Sequence, residues 1–569
     1  MFPKPMPPRP SGPLRLAALT LAVCCACAAV QAQTLPAGID ASRINTQVTL
    51  KLIDKMVQKG LLTREEADDM IRDAVASAPP AASPATAALP YQTQPGAVVV
   101  PYIPEVVREQ IKDELRKEVT QQAKDEGWAT PNAMPEWTHR FTLYGDLRVR
   151  TEGDFEDKGN YPFFPNFGTI NAGSGFDVVG ANNAPFINDT EDRTRMRLRA
   201  RLGVKADIAD WIQGDLRLAT GSDRSPVSTN QTLGGGGNLS KESVWLDRAS
   251  LRLTPFGGLT VNAGRFANPF WTTDLQFDDD LNFDGVAASY AFFRDSDFKP
   301  WATLGFFPIY NTDFDFGTTD TIKTPSRDKW MYGGQVGVDW KFDNASLKVG
   351  LGYFDYDKFE GKQSSPCLAP GPADSCDTDG SRPQFQQFGN TLFPIRDIVA
   401  DPSNPGGPQL QYYGYASKFG VADLHAALQL DAFDPFKVLI EGDVLANARY
   451  KASRIVSLGP VNNLDTSNNF AGGSWGYYLN LLVGQPKIAA KGEWNASFGY
   501  KYLESDAVPD GFTDSDFHLG GTNAQGFIFG AQYGLAHNTW VGLRWLSAHE
   551  ISGPPYANDV VQLDLGSEF

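Results

Sequence analysis

The chain has 569 residues, 55 of them glycine, with 12% aromatic residues, five cysteines, five histidines and a net charge of −17. That acidity excludes a nucleic-acid partner, because neutralising phosphates takes a basic surface. Mean hydropathy is −0.30, and no stretch beyond residue 32 has the roughly 18 continuous apolar residues of a membrane helix, which leaves alternating strands as the route across a bilayer.

Residues 1–32 read as a secretory signal. Lys4, Arg9 and Arg15 give a basic start, Leu14 to Val30 is apolar, and Val30-Gln31-Ala32 offers a cleavage site. Residues 33–137 predict a short α-helical periplasmic arm. Val48, Leu52, Ile53 and Met56 mark one face of a first helix, and Thr63-Arg64-Glu65-Glu66 is a capping box opening a second. An Ala/Pro-rich linker, 77–101, follows. Val107, Ile111, Leu115 and Val119 then mark a third helix, whose stripe rests on a neighbour or serves an oligomer contact.

From residue 138 the texture changes, and sixteen runs fit strands. They are Phe141–Thr151, Arg193–Ala206, Trp211–Thr220, Val244–Thr254, Leu259–Phe266, Phe283–Phe293, Trp301–Tyr310 and Trp330–Lys341. Ser346–Asp355, Phe419–Ala432, Lys437–Asn447, Gly476–Gly484, Glu493–Leu503, Gly526–Gly534, Thr539–Leu546 and Val560–Phe569 complete the set. The connections between them alternate long and short without exception. A soluble sandwich has no reason to gather its long loops at one end. An outer-membrane barrel does, with short periplasmic turns, long external loops and an even strand number. The prediction is therefore an all-β transmembrane barrel of 16 antiparallel strands over 138–569, with both termini in the periplasm. Outer-membrane lipid would meet its outside, small hydrophilic solutes its inside. Phe569, on the parity of Leu565, Leu563 and Val561, resembles the signal read by the barrel assembly machinery.

Arg193 to Ala206 shows the two faces most clearly. Arg193, Arg195, Arg197, Arg199 and Arg201 hold one parity, while Met196, Leu198, Leu202 and Val204 lie on the other. With the apolar parity in lipid, the arginines face a wet lumen. Arg148 and Arg150 precede them, and Arg217, Arg248 and Arg252 follow, which predicts a basic wall across the first four strands. Asp146, Asp215 and Asp247 are the nearby acids that could pair with some of it. The third long-side connection carries Asp274, Asp278, Asp279 and Asp280 in a compact aromatic stretch. It reads as an inward-folded constriction loop that sets acids against the basic wall and screens solutes by size and charge. A solvated turn or a Ca²⁺ loop are the alternatives. Cys367 and Cys376, in a Pro/Gly-rich loop of an exported chain, predict a disulfide.

Four stretches carry a family likeness: Gly60 to Ala67 (GLLTREEA), Val100 to Glu105 (VPYIPE), Tyr144 to Arg150 (YGDLRVR) and Gly264 to Phe270 (GRFANPF). On these the chain resembles the putative porin family of proteobacterial outer membranes. The resemblance implies an outer-membrane channel and assigns no solute and no site residue. The expected function is a water-filled channel for passive diffusion of small hydrophilic solutes and ions. An anion- or phosphate-selective channel is the first alternative, and an envelope-tethering protein whose arm binds peptidoglycan is the second. The histidines at 139, 425, 518, 537 and 549 form no nucleophile–base motif, so no enzyme is expected, and neither a metal nor a cofactor. By analogy with general porins, the assembly would be a homotrimer.

Overall fold

The computed structural model describes Lys112, Lys117 and residues 136–180, 184–312, 326–518 and 520–569. The predicted signal at 1–32, both helices before the linker, the linker itself and the third helix lie outside those residues, apart from Lys112 and Lys117, which are helical. The barrel belongs to a compact unit running from Asp113 to Phe569.

Sixteen long strands form it among the described residues. They are β1 (Phe141–Glu156), β2 (Arg193–Ala209), β3 (Ile212–Ala219), β4 (Trp245–Leu253), β5 (Leu259–Ala267), β6 (Asn282–Ala291), β7 (Phe298–Tyr310) and β8 (Lys329–Lys341). Then come β9 (Ala345–Asp357), β10 (Phe419–Phe433), β11 (Phe436–Asn447), β12 (Trp475–Gly484), β13 (Trp494–Leu503), β14 (Ala524–Ala536), β15 (Thr539–Glu550) and β16 (Ala557–Glu568). Each pairs antiparallel with the next, and β1 pairs with both β2 and β16, from Asp146 opposite Glu568 to Glu156 opposite Asn558. The sheet is closed, so no edge is left to pair with another chain.

The alternation of connections holds for position but not always for length. The turn-side link 485–493 is longer than the loop-side link 551–556. The β15 strand runs to Glu550 and β16 starts at Ala557, further than the apolar alternation alone reveals, and this shortens the last loop. Cys367 and Cys376 are disulfide-bonded, with Cα atoms 5.9 Å apart.

The outer face is apolar. Leu143, Leu147, Leu202, Leu351, Phe527 and Leu563 are all exposed, as the lipid-facing parity requires. The inner face is not polar all round. Phe266, Phe283, Phe307, Met331, Phe354, Phe419, Val421, Leu445 and Leu503 point inward from β5–β11 and β13 and form one buried cluster with Phe270, Leu275, Phe277 and Leu281 of the β5–β6 loop. Phe270 meets Phe354 edge-on at 4.9 Å and Phe277 meets Phe283 at 5.2 Å. Gly333 on β8 makes room for this: a Cβ there would sit 2.5 Å from the Phe270 ring. Each large side chain buried this way contributes about 1.5–3 kcal/mol, enough to hold a loop inside a barrel.

Candidate functional site

The β5–β6 loop, 268–281, crosses the interior and is fixed at both sides. Trp271 N donates to Gln335 Oε1 on β8 at 2.9 Å, and Gln335 Nε2 returns a bond to Trp271 O at 2.7 Å. Thr273 Oγ1 donates to Asp443 on β11 at 2.5 Å, and Lys501 Nζ on β13 donates to Asp274 O at 3.3 Å. At the far end Asp280 accepts from Arg201 Nη1 at 3.0 Å and lies 3.6 Å from Arg199 Nη1. Its other oxygen takes the Thr229 N–H and hydroxyl.

Of the four acids expected to oppose the arginines, only Asp280 touches them. Asp278 is buried and accepts from Ser515 N and Asp280 N. Asp279 is exposed, and Asp274 is half-buried beside Lys501. The loop bends after Asp278, so consecutive carboxylates cannot all reach one wall.

The basic wall is paired far more fully than its neighbours in sequence suggest. Asp146 bridges Arg199 (2.8 Å) and Arg201 (2.5 Å), and Glu152 holds Arg195 (2.5 Å) and Arg197 (3.4 Å). Arg217 pairs with Asp247. Arg150, 1% exposed, forms a fork with Asp564 on β16 (2.7 and 2.9 Å) and reaches Asp516 at 2.8 Å. Asp215 instead accepts from Tyr144 at 2.6 Å. Arg148 and Arg248 bond the amides of Asn230 and Asn282, Arg193 donates to Asn188 O, and Arg252 is exposed. The wall is thus a lattice of alternating charge rather than a bare cationic surface.

Asp516 belongs to a second inward segment, the β13–β14 loop at 504–523, one of the long connections that the barrel pattern predicts to lie outside. It also takes Arg544 of β15 at 3.3 Å. Its acid run Asp514-Ser515-Asp516 was the available signal. Phe512 O accepts from Asp278 N at 2.8 Å, which ties the two inward loops together. The disulfide-bearing loop clasps the same segment. Asn390 donates to Ser505 O and Val508 O, and Tyr415 donates to Asp510 at 2.6 Å.

Burial pushes the Asp510 carboxyl up to about 7, against the Tyr415 hydrogen bond, and Asp506 up to about 6. Burial holds His518 down at about 3. A carboxyl with a raised pKa keeps a proton that the undocked loop would release. Its contribution is therefore present at low pH and lost as pH rises through about 7. His518 acts in the opposite sense, but only below its ordinary value of 6.5. Between about pH 6.5 and about pH 8.5 the carboxyls decide, so the 504–523 loop should undock as pH rises. Proteolytic cleavage within 504–523 should be faster at the higher pH, and Asp510→Asn should flatten the difference. Equal rates in the native chain would contradict this.

A closed, lipid-facing barrel with loops folded into a charged interior defines the class of transmembrane β-barrel channels. The family model described as "Putative porin" matches residues 46–569. The chain belongs to that family, and it is an outer-membrane channel. A search of curated proteins returned no match. Among solved structures it is similar to OprB of Pseudomonas putida, with 10% identity and a TM-score of 0.41 over 80% of this chain and 97% of that one. The outer membrane channel DcaP of Acinetobacter baumannii aligns at 10% identity and a TM-score of 0.36, over 75% and 97%. An anion-selective porin from Comamonas acidovorans aligns at 11% identity and 0.36, over 75% and 99%.

Proposed function

We propose that the channel works by passive diffusion of small hydrophilic solutes and ions through water left between the two inward loops and the charged wall of β1–β4 and β14–β16. The observation that carries this reading is the 268–281 loop. It packs by its apolar side chains on one half of the interior and meets the arginines of the other half through Asp280. In this reading Asp274 and Asp279, with Arg193, Arg195 and Arg252, border the remaining passage. Because most arginines carry a paired acid, the expected selectivity is weak, and strict anion or phosphate selectivity is the less favoured alternative. The long loops would face outward and the termini inward, with residues 1–32 removed on export and the 33–137 arm in the periplasm. Homotrimer assembly, delivery by the barrel assembly machinery through Phe569 and contact of the arm with peptidoglycan belong to the same reading.

Planar-bilayer recording tests it. The purified chain should give discrete ohmic conductance steps with a small reversal potential in a salt gradient. Arg199→Ser with Arg201→Ser leaves Asp146 and Asp280 uncompensated and should shift selectivity toward cations. The shift should shrink at molar salt, where the screening length is about 3 Å. Absence of conductance from correctly folded protein would refute the reading and favour a barrel that only anchors the arm.

A further inference from the structure

At the long-loop end of the barrel the interior holds a cavity of about 390 Å³, within the range of small-molecule sites. The loop-side ends of β3 to β8 surround it, from Ala219 and Trp245 to Tyr310 and Lys329. Thr229 and Asp280 line it too, so it adjoins the point where the inward loop meets the arginines. Its apolar lining is largely aromatic, with Phe283, Tyr310, Phe359, Phe385 and Phe512. Phe359 and Phe512 stand 6.0 Å apart. Phe385 and Phe512 are only half-buried, so both keep ring surface free for a ligand.

One charge in that lining is unbalanced. Lys329, the first residue of β8, is 3% exposed. Its Nζ donates to Ser381 O at 3.1 Å and Arg382 O at 2.6 Å, and lies 6.0 Å from the centre of the Tyr310 ring. An ammonium has three hydrogens, so one is left over. Among the described residues no carboxylate pairs with it, and the charge that acts on it is another cation, Arg382. The acids of the lining are engaged elsewhere: Asp247 by Arg217, Asp280 by Arg201 and Asp284 by Arg265. Exposed Asp223 is followed by exposed Arg224. A buried ammonium held by two carbonyl dipoles alone is stabilised further by an anion.

We propose that this cavity binds an aromatic carboxylate, with its ring against the aromatic lining and its carboxylate on the Lys329 ammonium. The proposal rests on the diffusion reading above and names a class of solute that dwells beside the constriction. A neutral sugar would leave Lys329 unbalanced, and a small inorganic anion would leave the rings unused. The site is single, so it is compatible with weak ion selectivity of the passage as a whole.

The test records planar-bilayer current through the full chain while benzoate, acetate or benzyl alcohol is added. Acetate lacks the ring and benzyl alcohol lacks the charge. Benzoate should interrupt the current at a concentration about tenfold below either, the scale of one charge-assisted hydrogen bond. Lys329→Met should abolish the preference over benzyl alcohol, and Lys329→Arg should keep most of it. Phe385→Ala should reduce the preference over acetate. If Lys329 only clamps the 381–382 backbone, Lys329→Met lowers the thermal transition and leaves the benzoate preference intact, which overturns the proposal. If Lys329→Met is not recovered as a barrel, Phe385→Ala decides and must bring benzoate toward acetate. Equal block by benzoate and acetate in the native chain would also overturn it, because the wall arginines would then suffice. Calorimetric titration of the chain in detergent with benzoate reads the site without any current. Binding heat from a chain that does not conduct would refute the channel reading alone. Conductance with no benzoate preference would refute the site alone.

Discussion

Arg150→Ala should lose about 3–5 kcal/mol of stability, because it strands one buried acid, Asp564, and weakens the pairing of a second, Asp516. Arg150 joins β1, β16 and the 504–523 loop through a single side chain. Asp564 holds its Nε and Nη2, and Asp516 holds its Nη1. Without it, Asp564 keeps no ion pair among the described residues, and Asp516 keeps only Arg544 at 3.3 Å and Arg197 at 3.8 Å. The 504–523 loop should leave the interior, raising single-channel conductance while the thermal transition falls. Arg150→Lys keeps the charge but not the planar fork, so its effect should lie between. An unchanged transition and conductance in Arg150→Ala would mean that water, not the guanidinium, carries these acids.

The second large effect lies on the opposite face. Leu351 is the middle residue of β9, 56% exposed, with Val336 and Leu424 beside it on β8 and β10. An arginine there should cost about 2–4 kcal/mol, the price near the bilayer midplane. The yield of heat-modifiable, folded barrel on gel electrophoresis should drop sharply. Arg197→Ser, on the inward parity of β2, should leave that yield intact. If Leu351→Arg assembles normally while Arg197→Ser does not, inside and outside are reversed.

The barrel is legible in the sequence because a half-wet strand has period two. Arg193 to Arg201 shows this directly, and the strand ends it predicts lie within five residues of those in the structure, the largest difference being the extension of β1 from Thr151 to Glu156. Legibility fails where the interior stops being wet. Phe354 and Phe307 face inward yet are apolar, since they pack on Phe270 and Phe277 of a loop from elsewhere in the chain. Alternation cannot mark a strand face as inward when both faces are apolar. The charge pairing was hidden for a related reason. Arg150 finds Asp516 and Asp564 at 366 and 414 residues' separation, whereas sequence reading weighed only acids on the same or adjacent strands. Those acids are too few for ten arginines, so the sequence predicts pairing for only part of the wall.

The closure of the sheet has a consequence for how the chain comes to fold. The β1–β16 seam joins the earliest strand to the latest, and the backbones of Gly145 and Phe569 exchange hydrogen bonds across it at 3.0 Å. Contacts so remote in sequence make for a high contact order and slow folding. Until β16 arrives, the outer edge of β1 offers a row of unsatisfied amides and carbonyls above an apolar face, open to pairing with any other strand. Tyr144 to Arg150 thus keeps an open pairing edge for the entire time that some four hundred residues follow it, so the chain is most prone to mispairing with another strand before the seam closes.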